Sequence, residues 1–481
     1  MCEQIVPKVL GAAFKGYSMK RIVLTGFRGT GKSEVGKVLA RQLNLPLLDT
    51  DALIEQKTGR SIPSIFHEEG EERFRAEERE VIASLPPDNV VISTGGGAVI
   101  DPKNMEHLRR QSVLILLTAD IDAIESRLAR SPRPPLTSLP LREEIAELLD
   151  RRRQHYYASA DFCVDTSETT PEVAGEKVLH FLSTGNSSVK QRTTALQFFK
   201  TGRIPPLALQ KLEQVLMSAD RDSQTRIMGV AGYPCAHSKG PALFNGLFER
   251  YGLNYHYTLF EDPEIAEIMK IARCIDAKGL SVTIPFKQDV MEYVDEVDEN
   301  AAQPIGSVNT VVFACGTSIG YNTDWIGVRK PLVHLKGAKA VLLGAGGVAT
   351  AAAYALVDLD MDVTILNRTP ATAKTLAGRF GCKSADWDAF DTIKPDLVVN
   401  ATPLGMDPDT RSPLKEDQIL PEMTVYDLVY TPPETPLIQA AQKKGCHTIL
   451  GTEMFIHQAR EQFYLNFGID VPDTIIRELV V

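Results

Sequence analysis

RIVLTGFRGTGKS, Arg21 to Ser33, and AVLLGAGGVA, Ala340 to Ala349, decide the fold between them. Each is a short apolar run, then a glycine-rich turn, then the start of a helical pattern. The first turn has the spacing GxxxxGKS, which lets backbone N–H groups converge on a chain of phosphates. Its helix N-terminus adds positive dipole, and Lys32 and Ser33 open that helix. The second turn, Gly344-Ala345-Gly346-Gly347-Val348-Ala349, fits GxGxxA, which admits a dinucleotide pyrophosphate to a helix start. Two nucleotide turns of different design predict two α/β catalytic units in one chain.

The length agrees. A chain of 481 residues exceeds one ordinary core, so two to four domains are expected. Residues 20–182 alternate buried-strand text (RIVLTG, VVIST, VLILLT) with helical text at 33–43 and 121–129, which predicts a parallel-sheet P-loop domain. Residues 1–19 read as an N-terminal extension without the apolar core of a secretory signal. Residues 183–224, opening with the polar STGNSSVKQ, read as a linker with a connecting helix near 206–217. A second α/β unit starts with RIMGVAGYP and covers 225–330. A Rossmann-type third unit covers 331–450, with strands at AVLLGAGG, DVTILN, DLVVNA, TVYDLV and HTIL. The remainder, 451–481, reads as a helical segment packing back on the second unit.

Net charge is −10, which argues against a nucleic-acid or membrane-surface binder. No apolar run approaches the ~18 residues of a membrane helix. Seven cysteines without a CxxC pair predict reduced thiols in a cytoplasmic protein.

Around the first turn, Gly29, Thr30, Gly31, Lys32, Ser33 and Glu34 are expected to hold ATP, with Lys32 on the β/γ-phosphates. Ser33 and Asp49 are the expected Mg²⁺ ligands. Asp49 and Asp51, in LLDTDALI, follow the second strand, where open α/β sheets bind ligands; the pair also reads as a helix cap. Arg75 alone reads as part of a solvated helix face. Gly95, Gly96 and Gly97, in STGGGAV, permit close backbone approach to a ligand. Arg133, in RSPRPPL, is placed on a proline-stiffened lid over the phosphates. Arg152 belongs to a run that also reads as a basic helix surface.

Together these motifs resemble shikimate kinase across residues 20–182. The resemblance implies that Asp51, Arg75, Gly95 to Gly97 and Arg152 hold shikimate, with Asp51 orienting its hydroxyl and Arg133 on the lid. The lid departs in length, and reads RPPL rather than RPLL.

Near the second turn, Asn367, Arg368 and Thr369 stand where an NAD site carries an acid; Asn367 is 23 positions after Gly344 (367 − 344). A guanidinium and a hydroxyl there favour the 2′-phosphate of NADP(H). Upstream, VTIPFK, SVNT and YNTD supply Lys287, Asn309 and Asp324. A Lys287–Asp324 pair can relay the proton that ketone reduction needs, and Thr283 and Asn309 can hydrogen-bond substrate hydroxyls. Singly, a lysine after a strand is usually solvated and Asn-Thr is usually turn chemistry.

In order, GYPCAHSKGPALFN, VTIPFK, SVNT, YNTD, GAGG, NRT, NATPLGM, YDLVYTP and GTEMFIHQA resemble shikimate dehydrogenase across residues 226–481. The resemblance implies Lys287 and Asp324 as the catalytic pair. It implies Ser238, Thr283, Asn309, Tyr430 and Gln458 as substrate contacts, and Leu428 and Gly451 beside the nicotinamide. One departure stands out: the family's Ser-x-Ser is Ser238-Lys239-Gly240 here. The missing hydroxyl is expected to open space at Gly240, which keeps quinate in view as an alternative substrate. Together, the two resemblances imply a bifunctional enzyme that reduces 3-dehydroshikimate with NADPH and phosphorylates shikimate with ATP and Mg²⁺.

Overall fold

The computed structural model describes residues 21–130, 136–184, 189–201, 209–210, 212–213 and 225–480. The 1–19 extension, the connecting helix near 206–217, apart from 209–210 and 212–213, and Arg133 lie outside them. Three sheets organise the rest.

The first sheet has order β2-β3-β1-β4-β5 and is parallel throughout. Its strands are β1 (Arg21–Thr25), β2 (Leu47–Asp49), β3 (Val91–Ser93), β4 (Ser112–Thr118) and β5 (Phe162–Asp165). Both faces are covered by helices, so Val23, Leu24, Val91, Ile92 and Leu114 to Leu117 are all buried, as continuous apolar strand text requires. The helices are α1 (Lys32–Leu43), α2 (Thr50–Thr58), α3 (Ile62–Ala83), α4 (Pro102–Arg109), α5 (Ile121–Arg130), α6 (Leu141–Ser159) and α7 (Pro171–Thr184). The helices expected at 33–43 and 121–129 are α1 and α5. Within the segment read as linker, α8 (Val189–Thr201) forms and packs its Phe199 edge-on to Phe260, with Ala195 and Leu196 also buried.

The second sheet is mixed, in order β7-β6-β8-β10-β11-β9. It comprises β6 (Arg226–Gly232), β7 (Tyr255–Glu261), β8 (Gly279–Val282), β9 (Glu296–Val297), β10 (Thr310–Ala314) and β11 (Thr317–Tyr321). Helices α9 (Gly240–Tyr251) and α10 (Ile265–Cys274) cover it.

The third sheet is parallel, in order β14-β13-β12-β15-β16-β17. Its strands are β12 (Lys339–Leu343), β13 (Asp362–Leu366), β14 (Lys383–Ala385), β15 (Leu397–Asn400), β16 (Thr424–Asp427) and β17 (His447–Ile449). This is the doubly wound order, which opens a crevice at the carboxyl ends of β12 and β15, where the winding reverses. Helix α11 (Asp324–Leu332) leads into the sheet. Helix α12 (Gly347–Asp358) buries Ala349, Ala351, Ala352, Ala353 and Ala355, small residues that let it lie close to the strands. The chain continues through α13 (Pro370–Phe380) and α14 (Pro436–Lys444) to α15 (Gly451–Phe467) and α16 (Asp473–Val480).

Helix α15 returns to the second sheet, where Phe463 and Phe467 pack among Phe244 and Phe248. One apolar core runs from Phe27 and Leu116 of the first unit to Leu247 and Phe463 of the second. The expectation of seven reduced cysteines is corrected here. Cys163 on β5 is disulfide-bonded to Cys315 in the β10–β11 turn, while Cys235, Cys274, Cys382 and Cys446 are free. The two partners are 152 residues apart, and only the docking of the units brings their Cα atoms to 5.2 Å.

Candidate active sites

The first site is built at the carboxyl ends of β1, β2 and β3. Gly26, Gly29 and Gly31 have φ of 136°, 84° and 88°, a region that favours glycine. A Cβ on Gly26 would lie 2.2 Å from the Leu117 carbonyl oxygen, so the loop is seated tightly on the sheet. The Lys32 ammonium is buried and donates to the carbonyls of Gly26 (2.7 Å) and Phe27 (2.8 Å). Ser33 Oγ donates to Asp49 Oδ2 at 3.1 Å. Asp49 Oδ1 also accepts from the N–H of Asp51 (3.1 Å) and Ala52 (3.4 Å). The cap reading of Asp49 holds: one oxygen caps α2, and the other accepts from Ser33.

The glycine run lies between two charged groups. A Cβ on Gly95 would sit 2.7 Å from Asp51 Oδ1, and one on Gly97 would sit 2.8 Å from Arg75 Nη2. A Cβ on Gly96 would sit 3.2 Å from the Arg28 backbone nitrogen. Any side chain there would fill the space between Asp51 and Arg75. Arg75 is not on a solvated face. Its side chain is 21% exposed, and its guanidinium donates to Glu78 Oε2 (2.8 Å) and Glu71 Oε1 (3.1 Å). The local text FRAEERE could not show this, because α3 turns that residue toward the glycine run. Arg152, on α6, is likewise buried, over the Phe27 ring, and its Nε has no hydrogen-bond partner among the described residues.

Several supporting residues carried no motif. Glu78 is buried beside Gly95; burial pushes its carboxyl up, and Arg75 opposes the rise. Tyr156 Oη donates to the Gly96 carbonyl at 2.6 Å, tying α6 to the glycine run. Arg28 pairs with Glu144, whose other oxygen accepts from the backbone of Leu136 and Thr137 at 2.6 Å each. The base of the expected lid is thereby anchored to the P-loop.

The second site lies between the second and third sheets. Lys287 Nζ donates to Asp324 Oδ2 at 2.7 Å. Asp324 begins α11, and its other oxygen accepts from Asn309 Nδ2 at 2.8 Å. Asn309 Oδ1 accepts the Thr323 N–H at 2.7 Å, so SVNT and YNTD interlock. Neither the lysine nor the asparagine is in its commonplace role. Thr283 is held by its N–H to the Ala231 carbonyl (2.9 Å), with its methyl against Gly232.

Ser238 Oγ accepts the Gly240 N–H at 3.1 Å. The space expected at Gly240 is not there. A Cβ would lie 3.0 Å from Tyr257 Cε1, 3.1 Å from its hydroxyl and 3.2 Å from Ser238 Oγ. The Tyr257 ring, stacked on Phe244, occupies it. Tyr257 Oη donates to Ser281 Oγ (2.7 Å), which donates to Gln462 Oε1 (2.6 Å), and Gln462 Nε2 reaches Gln458 Oε1 (2.8 Å). Tyr430 is partly exposed and tilts on Phe455 of the same helix as Gln458.

On the third sheet Gly344 has φ 108°, and a Cβ there would lie 2.9 Å from the Ala401 carbonyl oxygen. Beyond Ala345, a Cβ on Gly346 or Gly347 would meet nothing within 4 Å, so the turn up to Val348 faces open space at the start of α12. Asn367, Arg368 and Thr369 follow β13, the neighbour of β12; Arg368 and Thr369 are exposed. Gly451 starts α15 against Leu428 and Val429, and a Cβ there would lie 2.3 Å from the Val429 carbonyl oxygen.

With this geometry, the family comparisons are decisive. Residues 28–183 match the shikimate kinase model, 230–311 the shikimate dehydrogenase substrate binding domain, and 328–402 the shikimate / quinate 5-dehydrogenase model. The chain is a fusion of a shikimate kinase and a shikimate dehydrogenase. Its dehydrogenase half is 38% identical over 250 residues to a shikimate dehydrogenase (NADP(+)) from Pyrococcus abyssi, covering 51% of this chain and 93% of that protein. The shikimate dehydrogenase (NADP(+)) of Methanocaldococcus jannaschii is 35% identical over 277 residues, 54% of this chain and 98% of its own. A solved Thermus thermophilus shikimate 5-dehydrogenase in complex with NADP(H) and shikimate superposes with TM-score 0.50 at 32% identity, over 53% of this chain and 98% of that one. A shikimate dehydrogenase solved with NADP+ gives 0.51 at 36% identity, over 53% and 95%. The fusion is an enzyme of the shikimate pathway, and among its described residues no helix is long and apolar enough to cross a membrane.

Proposed function

We propose that the two halves act in succession on one small acid: the dehydrogenase half reduces 3-dehydroshikimate with NADPH, and the kinase half phosphorylates the shikimate formed. The reading is carried by the two assembled constellations, Lys287–Asp324–Asn309 in one half and Asp51–Gly95 to Gly97–Arg75 in the other.

In the dehydrogenase half, Lys287 donates a proton to the carbonyl oxygen of the substrate as that ketone becomes an alcohol. Asp324 holds the ammonium in place, and Asn309 holds Asp324. Ser238, Thr283, Asn309, Tyr430 and Gln458 orient the ring, with Tyr257 filling the space at Gly240. The open turn at Gly346 and Gly347 fits a pyrophosphate, and exposed Arg368 with Thr369 and Asn367 fits a 2′-phosphate. Leu428 and Gly451 then border the nicotinamide. NADPH, when bound, supplies the hydride.

In the kinase half, Asp51 orients the attacking hydroxyl, and Arg75 and Arg152 clamp the carboxylate by charge-assisted hydrogen bonds. The buried Nε of Arg152, without a partner among the described residues, suits that task. The loop from Gly29 to Glu34 fits ATP phosphates, and Lys32 would hold the β/γ-phosphates. Ser33 and Asp49 present adjacent oxygens that fit Mg²⁺, and Arg133 is assigned to the phosphates. MgATP, when bound, supplies the phosphoryl group. Both cosubstrates are present in the cytoplasm, which is compatible with a cytoplasmic enzyme. In this reading the units are assigned as 20–182, 225–330, 331–450 and 451–481.

The test is coupled turnover by the purified chain. With 3-dehydroshikimate, NADPH, ATP and Mg²⁺, shikimate 3-phosphate accumulates. Accumulation of shikimate alone removes the kinase assignment, and no NADPH oxidation removes the dehydrogenase assignment.

A further inference from the structure

We propose that the joint between the halves is a pair of interlocked helix caps, and that Arg109 and Lys278 are positioning residues for the shikimate sites of the opposite half. The proposal rests on the site reading above, in which α6 carries Arg152 and α15 carries Gln458.

Helix C-termini leave carbonyls without intrahelical partners and concentrate negative partial charge. The ends of α6 and α15 meet in the buried joint, where water cannot serve those carbonyls. On α15, Gly468 N–H returns to the Tyr464 carbonyl at 2.7 Å, and the Phe467 carbonyl accepts Arg109 Nε at 2.8 Å. Arg109 is the last residue of α4 in the kinase half, and its guanidinium also lies 5.3 Å above the Phe467 ring. On α6, Ser159 Oγ returns to the Tyr156 carbonyl at 2.7 Å. Lys278 Nζ, from the dehydrogenase half just before β8, donates to the carbonyls of Ala160 (3.0 Å) and Tyr157 (3.3 Å). Arg109 Nη2 takes the Ala158 carbonyl. The kinase's arginine thus caps the dehydrogenase's helix as well as its own, and the dehydrogenase's lysine caps the kinase's helix.

The joint is a built polar site. Lys278 is fully buried and Arg109 is 3% exposed. Asp161 lies between the halves and accepts from Arg109 Nη1 (3.2 Å) and Tyr255 Oη, while its carbonyl accepts from Arg226 Nη1 (3.1 Å). Burial alone would raise the Asp161 carboxyl; Arg109 and Arg226 outweigh it and hold it below its usual range. Burial, with Arg109 and Arg226 nearby, pushes the Lys278 ammonium well down. The Tyr157 carbonyl keeps the Ala160 N–H at 3.2 Å, so removing Lys278 leaves the buried Ala160 carbonyl unpaired, and removing Arg109 leaves those of Phe467 and Ala158; a local rearrangement of the helix end relieves the loss. Arg152 lies seven residues from the end of α6 (159 − 152), and Gln458 nine from the end of α15 (467 − 458). A shift at the end therefore reaches the substrate contact through rigid helix.

The experiment uses the full chain and measures both activities in each variant, with shikimate as the varied substrate. Lys278→Met raises the kinase KM for shikimate about tenfold, with the KM for ATP and the dehydrogenase constants held within about twofold. Arg109→Met raises the dehydrogenase KM for shikimate about tenfold, although Arg109 belongs to the kinase half. Lys278→Arg, which keeps two donors, restores the kinase KM. Simple loss of fold would lower kcat with the active fraction and leave KM unmoved. Arg152→Ala and Gln458→Ala run alongside. If they leave their KM values unchanged, the site reading fails; if they raise them while Lys278→Met and Arg109→Met do not, the cap proposal is overturned. Should the methionine variants not fold, Arg109→Lys decides. A lysine cannot serve Phe467 and Ala158 together, so the dehydrogenase KM rises about threefold, and an unchanged KM overturns the proposal.

Discussion

Lys32 and Lys287 are the same side chain in opposite electrostatic settings. Lys32 is buried in a glycine loop and donates to the carbonyls of Gly26 and Phe27. Lys287 is half-exposed in a cleft and donates to the Asp324 carboxylate, a partner able to share a proton. A charge that must meet phosphates is parked on dipoles, whereas a charge that must give up its proton is held by a base. The loops around them differ in the same way. A Cβ on Gly26 would run into the sheet, and one on Gly346 or Gly347 would enter empty space. The first loop wraps its ligand, and the second lets one pass close.

That contrast breaks most sharply by exchange of function. Lys287→Ala lowers reduction of 3-dehydroshikimate about 10⁴-fold and leaves phosphorylation within about twofold; NADPH oxidation near the native rate would sink the proton-donor role. Lys32→Ala lowers phosphorylation about 10³-fold and spares reduction. Loss of both activities in a folded variant would show that the two settings are not independent.

The buried acids sharpen it further. Asp427, fully buried behind Leu428, is raised to about 6 by burial, against hydrogen bonds from Thr435, Val429 and Asn400. A folded-state value above the unfolded one means stability that is complete below about pH 4 and declines as pH rises through about 6. The loss is on the order of 3 kcal/mol at this one group. Relative to Asp427→Asn, the native chain should lose urea resistance between about pH 4 and 7; a parallel pH course for the two proteins would refute it. The smallest effect concerns the open loop. Arg368→Ala should narrow the preference for NADPH over NADH about tenfold, read from kcat/KM with each cofactor. An unchanged ratio would move 2′-phosphate recognition elsewhere.

Much of both sites was legible in the chain because their chemistry demands fixed local spacing. GxxxxGKS places Lys32 and Ser33 at a helix start, and VTIPFK and YNTD place Lys287 in the loop after β8 and Asp324 at the start of α11. The burial of Arg75 and the filled space at Gly240 escape the local text for a common reason: each depends on a neighbour remote in sequence. Gly97 faces Arg75, and the Tyr257 ring fills the space at Gly240. The cysteines failed in the same way, since Cys163 and Cys315 meet only when the units dock.

The sequence by itself determined two nucleotide turns, their strands and the residues one or two positions from a turn, because backbone geometry constrains residue type locally. Tertiary structure alone decided how the halves join. Lys278 reaches carbonyls 118 and 121 residues away, and Arg109 reaches one 358 residues away. Such contacts select only a buried donor at the right place, and a lone lysine or arginine in a sequence carries no mark of the helix end it serves.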